Sequence, residues 1–223
     1  MNNLKQIYQI LYKAYGSQGW WPLYNAKTGK FEYHKGDYSL PKNDVQRFEI
    51  CLGAILTQNT SWKNVEKAIL NLIKNNLFDI NALRKMKTES LAKVIKSSGY
   101  HNQKAKKIKE FIRFLDSKKK ITRENLLSVW GIGKETADSI LLYAYKKPVF
   151  VIDAYTKRIF SRLLNKEFDY DSLQKLFMSN LKNDFKLFNE YHALLVEHGK
   201  NKCKSKPNCP HCLLNRCCKL SSP

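Results

Sequence analysis

Apolar residues recur at helical spacing through almost the whole of this 223-residue chain, and this period restricts the possible folds more than any other feature. It predicts amphipathic helices at 1–14, 44–56, 65–73, 88–95, 103–115, 126–130, 137–145, 154–164 and 187–198. Only 148–152 favours an extended backbone, and that stretch is too short to argue for a sheet. The sequence therefore predicts an all-α protein.

The helix predicted at 44–56 shows how these local signals combine. Asn43 or Asp44 precedes it as a candidate N-cap. Helical spacing places four apolar residues on one face, which we expect to be buried together: Val45, Phe48, Leu52 and Ile55.

The charge of the chain points to a polyanionic partner. The 40 Lys and Arg residues outnumber 19 Asp and Glu residues, which gives a formal net charge of +21. Nucleic acid is the leading partner and an anionic membrane surface the second, while a Lys-rich composition that raises solubility is the plain alternative. No stretch has the length of a transmembrane helix, and the N-terminus lacks the pattern of a signal peptide, so we expect a cytoplasmic protein.

A short turn built on Gly131, Ile132 and Gly133 joins two of the predicted helices. Two glycines let the backbone turn tightly and approach a ligand closely. The N–H groups that open the next helix, with Lys134 and Thr136 in its first turn, form an anion site suited to a backbone phosphate. For such a turn alone, an ordinary helix–helix connection remains the better interpretation.

Four cysteines near the C-terminus have the spacing of metal ligands. They are Cys203, Cys209, Cys212 and Cys218, in the order C-x5-C-x2-C-x5-C. Four thiolates in one short loop suit zinc or a [4Fe–4S] cluster, although a zinc ribbon separates its cysteine pairs by a longer stretch. Cys217 competes with Cys218 as the fourth ligand, whereas Cys51 falls inside a predicted helix and is expected to be an inert core residue.

Downstream of the turn, an extended segment leads into Asp153, which opens a helix that carries basic residues. This order of a turn, a connecting helix, a loop and an Asp resembles that of the helix-hairpin-helix DNA glycosylases of the endonuclease III superfamily. The resemblance runs from about Phe48 to Cys218. It implies a two-lobed helical fold, with a six-helix lobe at 44–147 and a second lobe formed by 1–43 and 148–223. It also implies a monomer that binds double-stranded DNA with a damaged base.

The same resemblance assigns the chemistry. Asp153 would stabilise the cationic sugar that forms as the base departs and would help to position the attacking water. Relatives that also cut the strand carry a Lys two residues after the second Gly of the hairpin, where this chain has Glu135. Glu135 cannot act as an amine nucleophile, so Asp153 and Glu135 are the catalytic candidates of a glycosylase that uses water. The alternatives are a glycosylase and lyase that uses Lys134, and a non-catalytic DNA-binding relative.

The lesion is also inferred from the resemblance. Trp-Trp-Pro at 20–22, an early-helix Phe and Glu135 look like the 3-methyladenine glycosylases of this superfamily, whose pattern assigns the base pocket to Trp20, Trp21, Pro22, Phe48 and Glu49. Aromatic walls favour a cationic alkylated purine by stacking and by cation–π attraction. Gln58 matches the residue that fills the gap left by the extruded base. Oxidised pyrimidines, mismatched thymine and adenine opposite 8-oxoguanine are the competing substrates.

The family carries a [4Fe–4S] loop where this chain has its four cysteines, usually with one more residue in the first gap. The resemblance therefore favours a structural [4Fe–4S] cluster on Cys203, Cys209, Cys212 and Cys218 over zinc.

Overall fold

A computed structural model describes residues 4–221 of the chain. Helices dominate the described part, which confirms the helical prediction in its main feature. The α-helices are α1 (Leu4–Tyr15), α2 (Asp44–Leu56), α3 (Trp62–Lys74), α4 (Ile80–Lys85), α5 (Thr88–Val94), α6 (His101–Asp116), α7 (Arg123–Leu127), α8 (Lys134–Ser139), α9 (Ala154–Leu164), α10 (Tyr170–Asn180) and α11 (Phe185–Asn201). A π-helical segment, Ile140–Ala144, continues α8. Residues 1–3 of the helix predicted at 1–14 lie outside the described part.

The prediction of a purely helical chain was incomplete, because a two-stranded sheet pairs β1 (Leu23–Asn25) with β2 (Lys30–Glu32). Gly29 lies in the turn with a φ of +69°, which a residue without a Cβ adopts easily. Strands of three residues are too short to show alternation, so no pattern in the sequence predicts them.

The chain divides into two compact units. We call Leu23–Phe31 and Ser39–Tyr145 the hairpin unit, because it contains the turn at Gly131. The remainder, Met1–Pro22, Glu32–Tyr38 and Lys146–Pro223, is called the terminal unit. Across residues 4–221, no helix is long and apolar enough to cross a membrane.

The core of the hairpin unit is built on α2 and α6. Asn43 is the N-cap of α2, and its side chain accepts a hydrogen bond from the Gln46 N–H. Leu52 and Ile55 are buried as expected, but Val45 is 65% exposed because it lies in the first turn. Buried Lys104 of α6 donates to the carbonyls of Leu56 (2.7 Å) and Ser98 (2.6 Å). These hydrogen bonds satisfy two backbone carbonyls at the C-terminal ends of helices, where no further helical N–H group is available to donate to them.

Stacked aromatic rings form the core of the terminal unit. The rings of Phe150 and Phe177 lie 3.8 Å apart and nearly parallel, and Tyr191 of α11 meets both edge-on. The Tyr191 hydroxyl donates to the Leu4 carbonyl at 2.9 Å and so ties α1 to this core. The Gln174 amide donates to the Phe150 carbonyl, which fixes the extended segment that leads to Asp153.

Candidate active site

Asp153 caps α9 and is held in one orientation. Its backbone is extended, and its Oδ1 accepts a hydrogen bond from the Thr156 N–H at 2.7 Å. Buried Val151 and Ile152 precede it and anchor the chain on the core of the terminal unit. A capping carboxylate therefore lies at the N-terminal end of a helix, where the macrodipole favours negative charge.

The second carboxylate oxygen of Asp153 faces His192 of α11. Its Oδ2 lies 3.8 Å from the His192 Nε2, and both side chains are largely buried. Burial lowers the pKa of His192 below the ordinary histidine value, while the neighbouring carboxylate of Asp153 acts in the opposite direction. Burial therefore favours the neutral form of the His192 imidazole. No local pattern in the sequence links His192 to Asp153, because the two residues lie 39 positions apart.

Trp20 completes this group in the terminal unit. Its ring meets His192 edge-on at 6.0 Å, and the Lys200 Nζ lies 5.6 Å from its centre. The Asn189 amide donates to the Trp20 carbonyl at 3.0 Å and so fixes the backbone of this segment to α11. Trp20 is partly exposed, whereas the neighbouring Trp21 is only 8% exposed and Pro22 is buried. Of this predicted aromatic wall, Trp20 is the ring most available to a ligand.

The turn at Gly131 lies between α7 and α8, as the sequence predicted. Gly131 has a φ of +82°, and a Cβ there would come within 2.5 Å of the Lys107 side chain. Gly133 is the N-cap of α8 and has no side chain to satisfy the first-turn N–H groups. Lys134 and Glu135 are exposed in that turn, while Ile132 and Thr136 are buried. The two helices are clamped by Arg123 of α7, whose Nε donates to the fully buried Asp138 of α8 at 2.7 Å.

Gln58 contacts the turn instead of extending into solvent. Its Nε2 donates to the Gly131 carbonyl (3.1 Å) and to the Thr136 hydroxyl (2.8 Å). Its Oε1 accepts a hydrogen bond from the Lys107 Nζ at 2.5 Å. The Lys107 side chain also packs against Gly131, so Lys107 contacts both Gln58 and the turn. In this structure the Gln58 amide braces the turn. No pattern in the sequence predicts this role of Lys107, because it depends on how α6 packs against the turn.

Phe48 and Glu49 point to different surroundings within the hairpin unit. Phe48 lines a cavity of about 320 Å³ together with Asp44, Val45, Arg47, Cys51, Phe78, Asp79, Ile80, Leu115 and Tyr145. Glu49 is 4% exposed, and its Oε1 accepts a hydrogen bond from the Tyr24 N–H of β1 at 2.6 Å. Burial raises the pKa of Glu49 to about 7, and the bond from Tyr24 opposes that rise. The structure therefore gives Glu49 a clear role in holding β1 on α2.

The cysteine loop is attached to the helix that Asp153 opens. Arg158 donates to the carbonyls of Cys203 (2.8 Å) and Gly199 (3.0 Å). Arg162, one turn further along α9, donates to the Cys203 Sγ at 3.3 Å and to two further loop carbonyls. These two arginines are four residues apart and therefore lie on the same face of the helix. That spacing is the feature of the sequence that could have indicated a shared partner.

The donor set of the loop fits a group that takes four thiolates. Cys203, Cys209 and Cys218 are close enough to Cys212 to raise the pKa of its thiol, in addition to the larger effect of burial. Cys217 differs, because it is not among the thiols that raise the pKa of Cys212. The Cys217 and Cys218 thiols each donate to a backbone carbonyl, of Leu214 and Arg162 respectively. Within residues 4–221, however, no three His, Cys, Asp or Glu side chains already stand in an arrangement that could hold a metal ion.

Comparison with known families decides the identity of this fold. The family model described as HhH-GPD superfamily base excision DNA repair protein matches residues 52–183, which include Gln58, the turn and Asp153. The chain belongs to this superfamily. The HhH-GPD assignment confirms the resemblance to the DNA glycosylases of the endonuclease III superfamily that the hairpin and Asp153 indicated.

Individual HhH-GPD relatives cover nearly the whole chain. A Methanocaldococcus jannaschii protein named as a DNA repair glycosylase is 41% identical over 96% of this chain and 94% of its own. Endonuclease III of Thermotoga maritima is 31% identical over 81% of this chain and 87% of its own.

Solved structures agree with this fold. The Helicobacter pylori 3-methyladenine DNA glycosylase MagIII, bound to 1,N6-ethenoadenine, has a TM-score of 0.67 at 27% identity, covering 90% of this chain and 98% of that one. An endonuclease III–DNA complex has a TM-score of 0.78 at 19% identity, covering 99% of this chain and 97% of that one. At this level of identity the likeness shows the fold alone.

Proposed function

We propose that this protein is a monofunctional DNA glycosylase that hydrolyses the N-glycosidic bond of alkylated purines such as 3-methyladenine in duplex DNA. The observation that carries the proposal is the placement of Asp153. It is fixed by the Thr156 N–H through one oxygen and faces His192 with the other, and His192 in turn contacts the ring of Trp20. A carboxylate held in this way can stabilise a cationic sugar and align the water that attacks it.

The neighbours of Asp153 suit a cationic leaving group. N3-alkylated purines carry a positive charge and need little help from a general acid. The partly exposed ring of Trp20 offers a π face to such a base, which would displace the Lys200 ammonium that lies 5.6 Å from the ring centre. The similarity to a 3-methyladenine DNA glycosylase at 27% identity supports this choice of lesion.

Glu135 supports hydrolysis over lyase chemistry. It occupies the hairpin position where lyases of the superfamily carry their Schiff-base Lys, and a carboxylate cannot form that adduct. The hairpin serves this reaction by binding a DNA phosphate at the first turn of α8, where Gly133 leaves N–H groups to be satisfied.

The identity to endonuclease III of T. maritima favours a second candidate, a glycosylase and lyase for oxidised pyrimidines with Lys134 as the amine. Lys134 is exposed in the first turn of α8.

We further propose that Cys203, Cys209, Cys212 and Cys218 hold a [4Fe–4S] cluster with a structural role. When bound, the cluster would cross-link the loop through Fe–S bonds and supply no step of the hydrolysis. The loop would remain fixed to α9 by Arg158 and Arg162, which already hold its carbonyls.

A single assay separates these candidates. Methylated duplex DNA and duplex DNA that carries an oxidised pyrimidine are each incubated with the purified protein. Each is scored for free base and, separately, for strand nicks, with borohydride added to trap covalent adducts. Free 3-methyladenine without nicks or adducts is the expected result. Nicks and a trapped adduct on oxidised-pyrimidine DNA would establish the lyase instead. DNA binding without any product on either substrate would overturn both proposals in favour of a non-catalytic binder.

A further inference from the structure

Trp130 is an exposed aromatic residue at the entrance of the turn. Its side chain is 48% exposed, although the residues before and after the Trp130-Gly131 step, Val129 and Ile132, are 7% and 4% exposed. An exposed indole adds little to the core and raises the risk of non-specific association. Its position next to the Gly131 turn makes the ring available to a ligand that binds the turn.

Lys106 of α6 is organised by the same ring. Its Nζ lies 4.3 Å from the centre of the Trp130 ring, which is within the range of a cation–π contact. The contact limits where an otherwise flexible ammonium can go. Lys106 is exposed, so its charge remains available to an anion.

Two further lysines flank this pair at the turn, together with one exposed acidic residue, Glu135 of α8. Lys107, the next residue of α6, packs under Gly131, and Lys134 opens α8 on the other side of the turn. The whole chain carries a formal net charge of +21. An aromatic ring set among lysines is the composition that binds a nucleic-acid backbone, since cations neutralise phosphates while the ring packs on sugar or base.

We propose that Trp130 and Lys106 form a second DNA contact beside the hairpin. In this contact the indole packs on the deoxyribose next to the phosphate bound at the turn, and Lys106 neutralises the following phosphate. The proposal rests on the proposed function, because it requires that the turn binds DNA. It extends the hairpin contact from one phosphate to a short run of one strand. The contact is independent of base sequence, because neither group is argued to read a base edge.

The test measures the affinity for undamaged duplex DNA across a series of salt concentrations. Trp130→Ala should weaken binding by about 10-fold, whereas Trp130→Phe should stay within about 3-fold of the wild type, because a phenyl ring keeps the packing surface. Lys106→Met should lower the slope of log affinity against log salt by about 0.9, the value for one phosphate contact in B-form DNA.

Lys119→Met is the matched control for charge. Lys119 is exposed beyond the C-terminal end of α6, about 15 Å or more along the helix from Lys106, so its loss changes the net charge equally but not the proposed contact. Circular dichroism and thermal unfolding of each variant establish that the fold is intact.

The outcomes separate this inference from the function on which it rests. If the wild type binds duplex DNA and both Trp130→Ala and Lys106→Met bind equally well, the inference is wrong while the glycosylase proposal stands. An equal change of slope in Lys106→Met and Lys119→Met would also overturn it, because the effect would then be one of net charge. A wild type without measurable affinity for duplex DNA would remove the proposed function itself.

Discussion

The Nε2 of His192 lies 3.8 Å from the Oδ2 of Asp153, so the carboxylate that caps α9 has a different neighbour for each of its oxygens. Oδ1 accepts the Thr156 N–H and completes the start of the helix. Oδ2 faces an imidazole whose pKa burial has lowered. One oxygen of Asp153 therefore caps the helix, while the charge of the carboxylate is proposed to stabilise the sugar cation. A substitution that keeps the cap and removes the charge can test the two roles separately.

Asp153→Asn should keep the fold and DNA binding but slow base release by at least about 100-fold, because an amide can cap α9 yet carries no charge to stabilise the sugar cation. Single-turnover release of 3-methyladenine measures the loss. Asp169→Asn is the matched control, since Asp169 caps α10 in the same manner, with its side chain accepting from the Ser172 N–H at 2.7 Å. Equal rates for Asp153→Asn and Asp169→Asn would show that Asp153 is only a cap.

Glu49 should make stability depend on pH near neutrality. Its folded-state pKa is raised from 4.5 to about 7, so the folded protein binds this proton more tightly than the unfolded chain. The contribution is fully present below pH 4.5 and is lost as the pH rises through about 7, by up to ~3 kcal/mol in the free energy of unfolding. Glu49→Gln retains an acceptor for the Tyr24 N–H and removes the titration.

Urea unfolding at pH 5 and pH 8 checks this prediction. The free energy of unfolding of Glu49→Gln should be close to that of the wild type at pH 5 and larger than that of the wild type at pH 8. Parallel curves for the two proteins over this interval would contradict the assignment of a neutral-range carboxyl to Glu49.

Arg123→Met should destabilise the hairpin unit by roughly 3–5 kcal/mol, because it leaves the fully buried carboxylate of Asp138 without its charged partner. Arg84→Met breaks a pair with Asp116, but both of those side chains are about 40% exposed, so we expect a much smaller loss because solvent screens the interaction. Chemical denaturation of the two variants gives the comparison. Similar losses in both would mean that burial of Asp138 does not govern the strength of the clamp.

The cysteine loop gives a prediction about metal content. Cys218→Ser should lose most of the bound iron, whereas Cys217→Ser should retain it, because Cys218 and not Cys217 is among the thiols close enough to Cys212 to raise its pKa. Iron and sulfide are measured on protein purified without oxygen, and thermal unfolding reports the structural effect. Stoichiometric zinc in place of iron, or iron loss confined to Cys217→Ser, would refute the proposed ligand set.

Local chemistry allowed much of this protein to be read from its sequence. Most helices, the Asn43 cap, the turn at Gly131 and the position of Asp153 at the start of α9 depend on residues within a few positions of one another. Propensity, capping and glycine geometry act over that range and leave a signal in the sequence. The order of these features was also enough to indicate the family.

Only the tertiary structure decided which distant side chains meet. His192 reaches Asp153 from α11, Lys107 supports Gly131 and Gln58 from α6, and Lys106 covers the ring of Trp130. The tertiary structure also buries Glu49 against β1, a strand of three residues that is too short to be predicted from sequence alternation. These contacts arise from the packing of whole helices, because burial and charge pairing act between surfaces and depend on no fixed spacing along the chain.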